Sequence, residues 1–182
     1  LKELNEETRQ ELLNEIHKWW ETEHIPDEYL RARVVMIFKK GCTSNIQNYM
    51  PISLLCTFTK LFAAVLKNRI ADKLDPHLWK TQYGFRKARS TAQAIYLARR
   101  ILDIGERQGT NISLVVLDWE KAFDKVNQTK LLQAMKRLGI TGKMLQVLKT
   151  FYENPTFNIK DSEGRSTRRP QKTGIRQGCP LS

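Results

Sequence analysis

"LVVLDWEKAFDKV", residues 114–126, runs four aliphatic residues straight into an acid, Asp118, and sets a second acid, Asp124, six positions further on. Extended back to Ile112, the run "ISLVVLD" is apolar enough to read as a strand over 112–118 that is buried on both faces. A carboxylate at the exit of such a strand is costly unless it is paired or bound to a cation. Asp also starts turns and caps helices, so Asp118 taken alone has a structural reading too. A hard divalent cation takes oxygen ligands, and Mg²⁺ needs only one or two carboxylates where substrate phosphates supply the rest. That is the arrangement of two-metal phosphoryl chemistry. Asp124 reads as a partner of Lys125 or a cap for a helix beginning near Asn127. Phe123 is either core or a flat wall beside whatever the cation holds.

The composition of the 182 residues narrows the partner class. The formal charge is +12, and it is unevenly placed: residues 1–30 carry 3 Lys/Arg against 9 Asp/Glu, leaving 28 against 10 in residues 31–182. Such a balance points to a polyanion, with nucleic acid ahead of a membrane surface. No stretch approaches the roughly 18 to 20 consecutive apolar residues of a membrane span, so no membrane partner is expected. Three cysteines, Cys42, Cys56 and Cys179, fall at no metal-ligand spacing and make an odd number, which fits a reducing intracellular compartment, cytoplasm or nucleus. The chain opens on an acidic helix and stops at "GCPLS", so both ends are expected to be cuts through a longer polypeptide.

Periodicity predicts a polar helix over 3–24 with Leu4, Leu12, Leu13, Ile16 and Trp19 or Trp20 on one side, then a strand over 33–40. "GCTSNIQNYMP" reads as a loop. Phe58, Leu61, Phe62, Val65, Leu66, Ile70 and Leu74 mark a long amphipathic helix ending near Pro76. "QYGFRKARSTAQAI" is a basic loop entering a helix with the capping pattern Ser90-x-x-Gln93, an apolar face of Ala94, Leu97, Ala98, Ile101 and Leu102, and Gly109 at its close. After the strand 112–118 come helices starting near Asn127 and Thr141, separated by Gly139. The tail reads as a β-hairpin turning at "SEG" (162–164), with six Lys/Arg from Lys160 to Arg176. The expected fold class is α+β (α/β mixed), with helices packed on a small, mostly antiparallel sheet. In "TGIRQGCPLS", Gly174 and Gly178 permit close backbone approach to a ligand, and Gln177 offers donor and acceptor. Arg176 there, and Arg86, Lys87 and Arg89 in "YGFRKARST", are candidate phosphate contacts or a solvated face.

"IPDEYLRARVVMIFKKG", "NYMPISLL", "QYGFRKARST", "LVVLDWEKAFDKV" and "GIRQGCPLS", in this order, resemble the successive blocks of the reverse transcriptase domain of non-LTR retrotransposons and of group II intron relatives. The resemblance implies a right-hand polymerase fold with an N-terminal helical extension (1–24), a fingers-like region (25–110) and a partial palm (111–182). It implies Asp118 as a ligand to a catalytic Mg²⁺ pair, with the backbone carbonyl of Trp119 lining the second metal. Phe123 falls at the bulky position that excludes a 2′-hydroxyl. Gln177 falls in the block that packs on the incoming nucleotide and template, and Lys39 at a basic fingers position facing the triphosphate. The implied reaction is attack of a DNA primer 3′-hydroxyl on a dNTP, directed by an RNA template. The chain departs from the family at Met50, where an arginine usually stands between Tyr49 and Pro51, and at Ala88, usually a glycine. No Asp–Asp pair occurs in it, and the family's second metal block is expected beyond Ser182. A catalytically inactive RNA-binding module on the same scaffold is the other reading, and Met50 favours it.

Overall fold

A computed structural model describes residues 4–160 and 164–182, which form two compact units: residues up to Ile70 together with Lys121–Ser182, and Ala71–Glu120. In chain order the elements are α1 (Glu6–Thr22), α2 (Asp27–Leu30), β1 (Ala32–Phe38), β2 (Tyr49–Leu54), α3 (Thr57–Leu74), α4 (Thr91–Arg107), α5 (Gln128–Arg137), α6 (Gly142–Glu153), β3 (Thr156–Ile159) and β4 (Arg169–Pro170). The sheet order is β2-β1-β3-β4, antiparallel except for the parallel β1–β3 pair. The α+β class with a small, mostly antiparallel sheet is therefore what the chain adopts.

Helix α1 starts where Asn5 caps it, its side chain accepting from the Thr8 amide at 2.9 Å, with Glu6 and Glu7 in the first turn to complement the helix dipole. Residue 3 of the predicted helix lies outside the described residues, and Leu4 precedes the cap at Asn5. Trp19, 1% exposed, packs its ring on Tyr29, Phe58 and Phe62 with centroids 4.9, 4.6 and 5.6 Å away, joining α1, α2 and α3. Its indole N–H donates to Glu15 Oε1 at 2.8 Å, so burial leaves no polar atom stranded. Thr59 is buried beside this cluster and donates its hydroxyl to the Tyr29 carbonyl at 2.7 Å. Phe62 also stacks on Phe151 of α6 at 6.4 Å.

Alternation along β1 turns Ala32 and Val34 into this core and leaves Arg31 and Arg33 on the outer face. Strand β2 lies in the stretch expected to be a loop. Pro51 discourages a strand reading, but β2 is the edge of the sheet, where a missing N–H costs no ladder bond on the open side; Pro51 stands opposite Met36. Helices α3, α5 and α6 lie where the periodicity puts them, with Asn127 capping α5 through the Lys130 amide at 2.9 Å and Gly139 at φ +86°. The hairpin of β3 and β4 also forms, although residues 162–163 of its predicted turn lie outside the described residues.

In the unit Ala71–Glu120, two expectations fail. The strand over 112–118 is not formed: the run has no ladder partner among the described residues, and Leu114, Val115, Val116 and Leu117 are 65 to 86% exposed. β-Branched residues favour a strand only where a neighbouring strand completes the hydrogen bonding and covers the side chains. The expected apolar face of α4 is likewise open, with Leu97, Ile101 and Leu102 exposed. What holds this unit is local. Gln93 Oε1 accepts from the Ser90 amide at 3.1 Å at the start of α4, and the Ile112 side chain packs directly against Gly105.

Trp19→Ala removes the ring shared by three helices, and the expected loss of about 3 to 5 kcal/mol is read by urea unfolding. Trp20→Ala, whose ring lies under Arg69 at 5.3 Å on a partly exposed site, is the comparison that loses much less.

Candidate active site

Residues 174–182 run as a strap between two other sequence blocks. On one side, the Gly174 amide donates to the Val126 carbonyl at 2.8 Å and the Ile175 amide to the Phe123 carbonyl at 2.9 Å. On the other, the Ser53 amide of β2 donates to the Gln177 carbonyl at 2.7 Å. Gly174 sits at φ +80° with Asp124 O 2.8 Å from where a Cβ would stand, and Gly178 at φ +108° with Ser53 O 2.7 Å from its own. Both glycines are demanded twice, by the left-handed backbone and by the neighbouring carbonyl. The Gln128 side chain adds a bond to the Gly174 carbonyl at 3.0 Å.

This strap fixes Gln177, half-buried, so that its Nε2 reaches Asp124 Oδ1 at 3.4 Å. Asp124 therefore neither caps α5, a task Asn127 performs, nor stands apart from the site; it holds the Gln177 amide. Ser53 and Asp124 are the residues that sequence reasoning missed here. The signal for Ser53 was the alternation in "YMPISL", masked by Pro51. Phe123 is half-buried on the same segment. Lys39 follows β1, exposed, its amide donating to the Asn48 carbonyl at 2.9 Å; Met50 stands opposite Ile37 one register step from the Phe38–Tyr49 pair, whose rings are 5.4 Å apart.

Arg176 does not reach solvent to meet a phosphate. It is 5% exposed, and among the described residues none of its guanidinium nitrogens has a hydrogen-bond partner. Burial lowers its pKa, and raises those of Cys179 and Tyr152 beside it. Arg176 is buried beside Tyr152 and Cys179, while the adjacent Gln177 reaches Asp124.

In the other unit, Arg86 is also corrected. Its Nε donates to Asp75 Oδ1 at 2.8 Å and its Nη2 to Oδ2 at 3.0 Å, while Nη1 bonds the carbonyls of Trp79 and Gln82 at 2.8 and 3.3 Å. The side chain is 8% exposed and its donors are committed to folding "YGFRKARST" back onto the 3₁₀ turn at Asp75. Lys87 and Arg89 remain exposed, and the Arg89 guanidinium lies 5.8 Å from the centre of the Tyr83 ring. Ala88 holds φ +58°, the conformation that a glycine would take without strain. Asp118 and Trp119 are exposed in the segment that forms no strand. Among the described residues no three His, Cys, Asp or Glu side chains are grouped as a metal would need. Asp118 supplies one carboxylate, which fits a divalent ion only where substrate phosphates or further oxygen ligands complete its coordination.

The sheet, its helices and the glycine-strapped glutamine form one compact arrangement, and the comparisons give the class. The sequence profile of the family described as Reverse transcriptase (RNA-dependent DNA polymerase) matches residues 37–182. The chain belongs to that family, in its non-LTR retrotransposon branch. It is 29% identical over 158 residues to the transposon TX1 uncharacterized 149 kDa protein of Xenopus laevis, covering 87% of this chain and 12% of that protein. It is 30% identical over 161 residues to the probable RNA-directed DNA polymerase from transposon BS of Drosophila melanogaster, covering 86% and 17%. To the retrovirus-related Pol polyprotein from the type-1 retrotransposable element R2 of Popillia japonica it is 27% identical over 160 residues, covering 87% and 22%. The chain thus spans between about an eighth and a quarter of the length of these curated relatives. Reverse transcriptases as a family work with a divalent metal ion and with a nucleic acid template and primer.

Two outcomes test the geometry. Gly174→Ala, with its Cβ driven against the Asp124 carbonyl, detaches the strap and costs several kcal/mol in urea unfolding, roughly the sum of left-handed strain and backbone displacement; Gly139→Ala, at φ +86° with open space around it, carries the left-handed strain alone and loses less. Arg86 depresses the Asp75 carboxyl by its hydrogen bond. The folded value lies below the unfolded one, so the staple is fully present above about pH 4 and is lost as pH falls through the folded value. Hydrogen exchange over 75–89 should therefore accelerate in acid beyond the intrinsic rate, and in Arg86→Gln it should be fast at every pH.

Proposed function

We propose that this chain is the fingers-like region (25–110) and partial palm (111–182) of an RNA-directed DNA polymerase of a retroelement, preceded by a helical extension (1–24). The observation that carries the reading is the strap. It brings "GIRQGCPLS", "NYMPISLL" and the "FDKV" end of the central block to one place, with Gln177 fixed by Ser53 and Asp124. A glutamine held this way by its own backbone is a preorganised surface for an incoming nucleotide and its template base. Phe123, on the segment that the strap binds, is the ring that meets the sugar and favours a dNTP. Lys39 at the end of β1 serves the triphosphate, and Lys87 and Arg89 serve the template backbone.

In the reaction, a DNA primer 3′-hydroxyl attacks the α-phosphorus of the dNTP, the new phosphodiester bond forms and pyrophosphate leaves. Mg²⁺ is the proposed ion, with Asp118 as a carboxylate ligand and the Trp119 carbonyl beside it. Met50 supports a second reading, an RNA-binding module that has lost catalysis, because a thioether cannot replace a guanidinium at a triphosphate.

Primer extension by the full-length product of the gene that encodes these residues separates the two. Under the polymerase reading, Asp118→Asn lowers extension at least a hundredfold while RNA binding is kept. A wild-type product that binds RNA without extending any primer establishes the second reading instead.

A further inference from the structure

The outer face of the sheet carries a charged cavity at the end of β1 remote from Lys39. It measures about 410 Å³, and among the described residues its lining includes Arg31, Arg33, Arg165 and Arg168, with Asn158 among them and no acidic side chain. The placement comes from register. Ala32 and Val34 point into the core, so Arg31 and Arg33 share the opposite face, two residues apart. Arg33 stands opposite Asn158 of β3. Arg168 precedes Arg169, which stands opposite Phe157, and it lines the cavity together with Asn158. The Lys160–Arg165 bridge holds Arg165 beside the C-terminal end of β3, at a position two residues from Asn158 of that strand. All of these residues are exposed or half-buried and belong to one compact unit.

We propose that this arginine-lined cavity is a binding site for the phosphodiester backbone of a nucleic acid, separate from the nucleotide site at Gln177. Like charges gathered on a rigid sheet repel one another, and a dianionic or polyanionic ligand relieves that repulsion. Guanidiniums match phosphate oxygens with paired donors, which lysines do not, and the cavity's cationic lining is all arginine. The amide of Asn158 offers a neutral donor and acceptor between two of them. Among the described residues no aromatic ring lines the cavity, so it holds backbone and does not stack bases. The site therefore adds affinity without sequence preference. The inference rests on the nucleic-acid reading of the family, yet it concerns residues that reading does not use.

The test is fluorescence anisotropy of the 182-residue chain with a labelled single-stranded RNA of about 20 nucleotides, across a salt series. Arg33→Gln with Arg168→Gln should weaken binding at least tenfold at low salt and reduce the salt slope by about 1.4, two phosphate contacts at roughly 0.7 each. Lys130→Gln with Lys136→Gln, two exposed charges on α5, removes the same net charge and should do much less. Equal losses for the two pairs would overturn the site in favour of net charge. An unchanged slope in the arginine variant would overturn it as well, leaving the polymerase reading intact, since that is judged by primer extension. Competition by inorganic triphosphate as strong, per phosphate, as that by unlabelled RNA would assign the cavity to free phosphates and overturn the backbone proposal. Arg165→Gln with Arg168→Gln on the hairpin repeats the measurement should the β1 variant fail to fold, as judged by its circular dichroism melt.

Discussion

Two carbonyl oxygens, Asp124 O and Ser53 O, approach residues 174 and 178 so closely that a side chain at either would displace backbone. That constraint orders the unit around Gln177. With glycine at both positions the strap can lie flat between β2 and the 123–126 segment, close its amide bonds on each side and turn Gln177 toward Asp124. Each bond is modest by itself, on the order of 1 kcal/mol. Their effect is positional: three stretches far apart in the chain acquire one fixed relation. The Trp19 cluster supplies the burial that sustains such a relation, because it is there that apolar area leaves water.

The helices of this unit were legible because their signals are local. Asn5 caps α1 and Asn127 caps α5, Gly139 ends α5, and the apolar stripe of α3 repeats at 3.6 residues. The strands were legible only in part. β1 shows alternation bounded by Gly41, whereas β2 is interrupted by Pro51, and whether a proline is tolerated depends on whether the strand lies at an edge, a property of the sheet and not of the segment. The strap's glycines were visible as glycines. Their neighbours in space were not, since Asp124 and Ser53 are 50 and 125 residues from the strap's Gly174 and Gly178 in sequence.

Arginine shows the same limit more sharply. Arg86, Arg89 and Arg176 are alike in a sequence reading, all three being basic residues in blocks that could touch phosphate. Arg86 gives its donors to Asp75 and two carbonyls, Arg176 is buried beside Tyr152 and Cys179, and Arg89 lies over Tyr83. Arg31, Arg33, Arg165 and Arg168, to which the sequence reading assigned no contact, are the ones gathered round a cavity. Net charge states how much cation the chain carries; only register states which cations share a face.

The central acid of "LVVLD" illustrates why a site's residue type can be read before its geometry. Asp118 ends a run whose side chains are largely exposed and whose backbone has no ladder partner among the described residues. A carboxylate is placed only as well as the backbone that bears it, and nucleotidyl transfer requires placement to within about 0.5 Å. For Asp118 to act at a reacting phosphate, the 112–118 backbone must be held by strand pairing, which would at the same time cover Leu114, Val115, Val116 and Leu117. The two demands have one solution: the same neighbouring strand that relieves the apolar exposure would fix the acid. Burial of the four aliphatic residues by such a strand would hold the carboxylate in one place, whereas in this structure they and Asp118 are exposed.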